Sequence, residues 1–148
     1  MALKTLYPLQ KQKAVEINSN AALALQDNLP DCKVLNASIL DVDTEDWGGA
    51  DIVVVKGVLI HISPDLLSEV YEIMYKLTGK YLLVAEYYNP TPVTVAYRGN
   101  KDKLFKRDFA GEVMDVYPDL RLVDYGFVYH RDSAFPQDDV TWFLLERC

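Results

Sequence analysis

The thirteen residues Ala50, Asp51, Ile52, Val53, Val54, Val55, Lys56, Gly57, Val58, Leu59, Ile60, His61 and Ile62 constrain the fold of this chain more than any other stretch. An acidic residue opens a short all-apolar run, and the run breaks at Lys56 and Gly57. Strands buried on both faces read as continuous apolar runs, and such strands belong to parallel sheets covered by helices. In open α/β sheets ligands bind outside the carboxyl ends of the strands. The break at Lys56 and Gly57, with His61 just beyond it, is therefore expected at the edge of a crevice. Glu16, closing the earlier apolar pair Ala14 and Val15, is the second half of the signal. The glycine-rich turn expected roughly 20 residues before such an acid has no place ahead of Glu16, so the sequence predicts that a first strand and its glycine turn are missing.

The rest of the chain alternates strand and helix patterns. Residues 13–17 and 33–36 read as short strands. Asn18 or Asn20 can cap a helix running to Leu29, with Ala22, Leu25 and Leu29 on one face. Residues 41–49 read as a polar loop. Ser63, Pro64 and Asp65 supply a capping hydroxyl, a first-turn proline and an acid favoured by the helix dipole. The helix they start runs through Leu66, Val70, Ile73, Met74 and Leu77 and stops at Gly79, and its Met and Tyr residues read as packing rather than as a cofactor site. Residues 80–86 form the next apolar strand, with Glu86 at its tip. Residues 87–103, containing Pro90, Pro92 and Gly99, read as a long loop of the kind that is usually functional or disordered. Asp108 caps a helix to Tyr117, closed by Pro118. Residues 120–129 and 140–146 read as an antiparallel pair. The expected architecture is one α/β domain over residues 1–148, with a mostly parallel sheet and a C-terminal antiparallel hairpin.

A net charge of −7 argues against a nucleic-acid or anionic-membrane surface, which needs clustered Lys and Arg. Cys32 and Cys148 have no metal-ligand spacing, so no metal is expected and a reduced, cytoplasmic setting is. No apolar run approaches the length of about 18 residues that reads as a membrane span.

Several runs go beyond general pattern: Val15 to Asn18; Asn36 to Ile39; Val55 to Ile62; Ala85-Glu86-Tyr87-Tyr88-Asn89-Pro90-Thr91-Pro92; Tyr97-Arg98-Gly99 through Lys106-Arg107-Asp108-Phe109-Ala110-Gly111; and Asp124-Tyr125-Gly126-Phe127-Val128-Tyr129-His130-Arg131-Asp132 with Asp138-Asp139 and Thr141-Trp142-Phe143. In this order the chain resembles the class I S-adenosylmethionine-dependent methyltransferases, closest to the small methylases associated with pseudaminic-acid (nonulosonic sugar) biosynthesis. The resemblance spans nearly the whole sequence. It implies an incomplete Rossmann-like methyltransferase sheet, truncated at its N-terminus, that lacks the first central strand and the glycine-rich loop.

The resemblance also implies roles for individual residues. Glu16 and Ile17 would hold the cofactor ribose, Ser38 and Ile39 the adenine, and Lys56 and Gly57 would line the same S-adenosylmethionine site. His61 and Glu86 are the expected catalytic groups; His130, in the terminal hairpin, is a further histidine to weigh. Tyr87, Tyr88, Asn89, Arg98 and Arg107 are expected to bind a small sugar or its nucleotide form, the arginines holding a carboxylate or phosphate. From the residues alone, Glu16 reads more readily as a surface carboxylate before a turn. Lys56 and Gly57 read as a strand-ending turn, His61 as a ring bonded to backbone, and the basic residues 98–107 as a solvated loop.

Two functions follow. One is methyl transfer to a nonulosonic-type sugar. The other is a catalytically silent remnant acting as a binding or oligomerisation module. A nicotinamide-nucleotide enzyme shares the acidic ribose contact, but the terminal antiparallel hairpin argues against it. The missing strand predicts either a homodimer covering the exposed strand edges or direct pairing of the strands around Val15 and Val53.

Overall fold

Lys13–Val15 (β1) and Lys33–Leu35 (β2) pair in parallel, Ala14 opposite Val34. Between them runs helix α1, Ser19–Asn28. Asn18 starts it: its side-chain oxygen accepts from the N–H groups of Asn20 and Ala21 at 3.0 and 3.1 Å, satisfying donors that a helix N-terminus leaves unpaired. Leu29 closes the helix, buried, with its N–H on Leu25 O. The computed structural model describes residues 12–97 and 100–148, so Arg98 and the first eleven residues lie outside the described part. The chain divides into two units: this strand–helix–strand unit, ending at Asp43, and a larger one beginning at Thr44.

The larger unit is built on a four-stranded sheet of order β3-β4-β8-β7: Ala50–Lys56 (β3), Thr78–Glu86 (β4), Val140–Arg147 (β8) and Leu120–Val128 (β7). β3 and β4 are parallel, and β8 and β7 add antiparallel strands to them. The sheet is therefore mixed. Helix α3, Leu67–Leu77, packs on β3 and β4, and helix α4, Phe109–Val116, packs on β4 and β7. Side chains alternate along a strand, so Leu82, Val84 and Glu86 of β4 point to one face, and all three are buried. Leu145 of β8, opposite Leu82, is buried too. Together with Val70 and Met74 of α3 and Phe109 and Val113 of α4, these residues make the core. On the other face Ile52 and Val54 remain 36% and 42% exposed.

Three expectations change. Residues 41–49 are not simply a loop: Thr44–Trp47 forms a short helix, α2, before β3. The start at Ser63 is a 3-10 turn, Pro64–Leu66, which passes into α3 at Leu67; no hydrogen bond from the Ser63 side chain caps it. Residues 87–103 are not a structureless loop, because Val93–Tyr97 (β5) and Asn100–Lys106 (β6) pair as an antiparallel hairpin. Its prolines, Pro90 and Pro92, lie just ahead of β5, where no ladder hydrogen bond is needed from them. Within the units, β1 pairs with β2 and β3 pairs with β4.

Candidate functional site

In the smaller unit the sequence-predicted ligand residues sit at the strand tips. Glu16 follows β1, and its Oε1 accepts from the N–H of Asn18 at 2.7 Å. Asn36, just after β2, donates its side-chain amide to Glu16 O and Ile17 O at 2.7 and 3.2 Å. Those bonds fix the backbone on either side of the Glu16 carboxylate. Ser38 is occupied in a local role: its hydroxyl accepts from Leu40 N–H and caps the 3-10 turn Ile39–Asp41. Ile39 opens that turn, half-buried.

In the larger unit the tips of β3 and β4 are joined through Glu86. This side chain is 3% exposed. Its Oε1 accepts from the N–H groups of Val58 and Leu59 at 2.9 and 3.0 Å, holding the 3-10 turn Leu59–His61 that follows β3. Gly57, ahead of that turn, has φ 65°, a conformation a glycine adopts at no steric cost. No atom lies within 4 Å of where its Cβ would be, so the backbone there is open to an approaching group. Gly57 N–H bonds Ala85 O at 3.1 Å and ties the turn to β4. Oε2 of Glu86 is buried without a hydrogen-bond partner among the described residues. Burial pushes the Glu86 carboxyl up from the usual carboxylate range, while the N–H groups of Val58, Leu59 and Ile60 and the nearby His61 pull it back down. Buried polar atoms without partners are rare, and this one lies at the carboxyl end of a strand.

The same end of the sheet collects the other predicted groups. Glu86 stands opposite Thr141, so the connection between β7 and β8 emerges beside the tips of β3 and β4. Lys56 reaches into that connection, donating to Gln137 Oε1 at 2.7 Å. Tyr88 bridges to Arg107, and its ring lies 5.6 Å from that of Phe143, which is 6.4 Å from Tyr125. Lys106 sits 5.1 Å over the Tyr87 ring. Asn89 turns its amide onto Thr91 O and Oγ1 and so shapes its own loop.

Arg107 is tied down: its Nε donates to Glu112 Oε1 at 2.7 Å, and Tyr71 donates to Glu112 Oε2 at 2.7 Å. Burial, with the Glu112 carboxylate next, drives the Tyr71 hydroxyl far above its ordinary range, so it remains a donor. This triad faces a cavity of about 330 Å³ between α3 and α4, lined by Pro64, Leu67 and Ser68 among others. Its polar groups largely satisfy one another, and the triad ties α3 to α4.

One pairing escaped the sequence reading. His130 Nδ1 lies 2.8 and 2.9 Å from the two carboxylate oxygens of Asp139, and His130 N–H bonds Asp139 Oδ1 at 3.0 Å. Nine residues separate the two in sequence, but Val128 stands opposite Val140 in the β7–β8 register, so the hairpin brings them together. That register was the available signal. The bond to His130 holds the Asp139 carboxyl below the usual carboxylate range, with Lys106 a smaller contributor.

No family model matches this chain, and no curated protein matches it. Solved structures do. The 1,6-didemethyltoxoflavin-N1-methyltransferase of Burkholderia thailandensis, with bound 1,6-didemethyltoxoflavin and S-adenosylhomocysteine, is 13% identical with a TM-score of 0.68, over 93% of this chain and 61% of that one. Magnesium protoporphyrin IX methyltransferase from Synechocystis PCC 6803, with bound S-adenosylmethionine, is 10% identical with a TM-score of 0.63, over 92% of this chain and 59% of that one. A glycopeptide N-methyltransferase complexed with S-adenosylhomocysteine is 7% identical with a TM-score of 0.68, over 99% and 76%. The chain thus spans about three fifths of the length of the first two. At these identities the likeness shows the fold alone: an α/β fold with a mixed sheet that resembles the Rossmann-like domains of methyltransferases.

Proposed function

We propose that the chain binds S-adenosylmethionine and serves methyl transfer to a small molecule bearing an O–H or N–H group. The observation that carries the proposal is the shared fold, which similar proteins use with S-adenosylmethionine or S-adenosylhomocysteine bound. Each unit, taken by itself, presents residues that suit part of that cofactor. The braced Glu16 carboxylate suits a ribose diol, because a carboxylate can accept from two hydroxyls. The Gly57 turn, open above its Cα and steadied by buried Glu86, lets a ligand approach the backbone closely. When bound, the cofactor supplies an electrophilic methyl group on a sulfonium. The chain's own task is then alignment of the acceptor and removal of its proton.

For the acceptor we infer a small polar ring compound, a nonulosonic-type sugar or its nucleotide form. The support is the aromatic and basic character of Tyr87, Tyr88 and Lys106 at the tips of β4 and β6; Arg107, expected to join them, is held by Glu112 instead. Within this reading Glu86 acts as a positioning residue, holding the backbone turn that carries His61. A second reading is a silent binding or oligomerisation module, favoured by one observation: among the described residues β3 is an edge strand of its sheet. Isothermal titration calorimetry separates the two. Methyl transfer predicts binding of S-adenosylmethionine and S-adenosylhomocysteine at tens of micromolar or tighter. No heat at millimolar ligand would leave the silent module.

A further inference from the structure

The geometry points to His130, held by Asp139, as the group that takes the acceptor's proton at this site. This rests on the methyl-transfer reading above. A carboxylate has no proton to give, so in the His130–Asp139 pair Nδ1 of the imidazole is the donor, and Nε2 of the neutral ring carries the lone pair. A base oriented in this way by a second group is the usual arrangement of a catalytic histidine. The ring is about half exposed and lines an open cavity of about 400 Å³ with Pro136, Gln137 and Asp138.

One contact ties that cavity to the strand tips: Lys56, ending β3, bonds Gln137 on the cavity wall at 2.7 Å. The charged groups around the imidazole are Asp139, Asp138 on the cavity wall, Arg131 and Asp132 next in the chain, and Lys106 through Asp139. The Tyr129 ring meets it edge-on at 4.8 Å. By contrast, His61 sits in a turn whose N–H groups are bound by the buried Glu86.

In the step itself, the acceptor's O–H or N–H proton passes to His130 Nε2 while the acceptor's lone pair forms the new bond to the methyl carbon. The carbon–sulfur bond breaks, and its electron pair stays on sulfur. Asp139 balances the imidazolium, which afterwards loses its proton to water.

The test follows the His130 ring by NMR titration in complexes with S-adenosylmethionine and with S-adenosylhomocysteine. The two ligands differ by a methyl group and one positive charge. A ring beside the transferring methyl should therefore titrate about half a pH unit lower with S-adenosylmethionine. Asp139→Asn should lower the ligand-free midpoint of His130, because it removes the facing negative charge. His130→Gln should leave affinity for both ligands within about two-fold. If calorimetry shows that neither ligand binds, the methyl-transfer reading falls and this assignment with it. If both bind and the His130 midpoint is the same in the two complexes, the reading stands and His130 is not the base.

Discussion

The two ends of the four-stranded sheet are built from similar residues and finished in opposite ways. At the end where β8 finishes, the Arg147 guanidinium donates to Thr78 O at 2.9 Å, Tyr75 O at 3.4 Å, Tyr75 Oη at 2.9 Å and Asp119 Oδ2 at 3.3 Å. It also lies 4.1 Å over the Tyr75 ring, which stacks on Tyr117 at 3.9 Å. Tyr75 donates to Asp119 as well, and that bond holds the Asp119 carboxyl below its ordinary range. Buried Thr78 donates to Met74 O at 2.7 Å. Each of these polar groups has a protein partner. At the other end, Glu86 keeps one buried oxygen unpaired, Gly57 leaves its backbone open, and His130 turns a ring nitrogen away from its carboxylate. Paired polar groups stabilise the fold, whereas a buried oxygen without a partner, here Glu86 Oε2, costs free energy. The difference separates an end whose polar groups pair with one another from an end that leaves a buried carboxylate oxygen without a partner among the described residues, and the proposed function places binding at the second.

The sharpest way to break this comparison is Glu86→Ala. It removes the acceptor for two N–H groups and should cost about 3 kcal/mol in urea unfolding. It should also abolish calorimetric binding by releasing the turn after Gly57. Arg147→Met should come next and act differently, lowering the unfolding midpoint while leaving S-adenosylhomocysteine affinity unchanged. Loss of affinity in that variant would erase the distinction between the ends. Gly126→Ala probes the β7–β8 pairing. A Cβ there would lie 2.8 Å from the Trp142 ring, and overpacking of this kind costs about 2 kcal/mol in urea unfolding.

The smallest effect concerns pH. Because burial raises the Glu86 carboxyl in the folded state, its favourable contribution is complete below the unfolded value and is lost as pH rises through the folded one. Glu86→Gln keeps an oxygen for Val58 and Leu59 and does not titrate. Its stability relative to the parent chain should therefore grow from acid to neutral pH. Asp119 and Asp139, whose carboxyls are lowered, lose stability in the opposite direction as pH falls, but they do so in both proteins and cancel.

Most of the regular structure was legible in the sequence because its signals are local. Asn18 and Asp108 cap their helices as their side chains predict, Asp108 Oδ1 accepting from Gly111 N–H at 2.9 Å. The apolar run at residues 52–55 is a strand of a parallel pair. The hairpin of β5 and β6 was hidden because Pro90, Pro92 and Gly99 flank its strands and read as loop, while strand pairing depends on partners the local pattern does not show. At the site, the strand tips were legible as breaks in apolar runs. The use of each side chain was not. Nothing in the residues around Glu86 says that it turns inward to bind the N–H groups of Val58 and Leu59, nor that Ser38 spends its hydroxyl on Leu40. The His130–Asp139 pair needed the β7–β8 register, a long-range fact.

The division of labour between the two ends can be read in one experiment. In an amide NMR titration with S-adenosylhomocysteine, the shifts should concentrate at Gly57 to Leu59 and Tyr87 to Asn89. Thr78, Leu120 and Arg147 should stay still. Shifts centred on the Arg147 end, or none at saturating ligand, would contradict the assignment of the binding end.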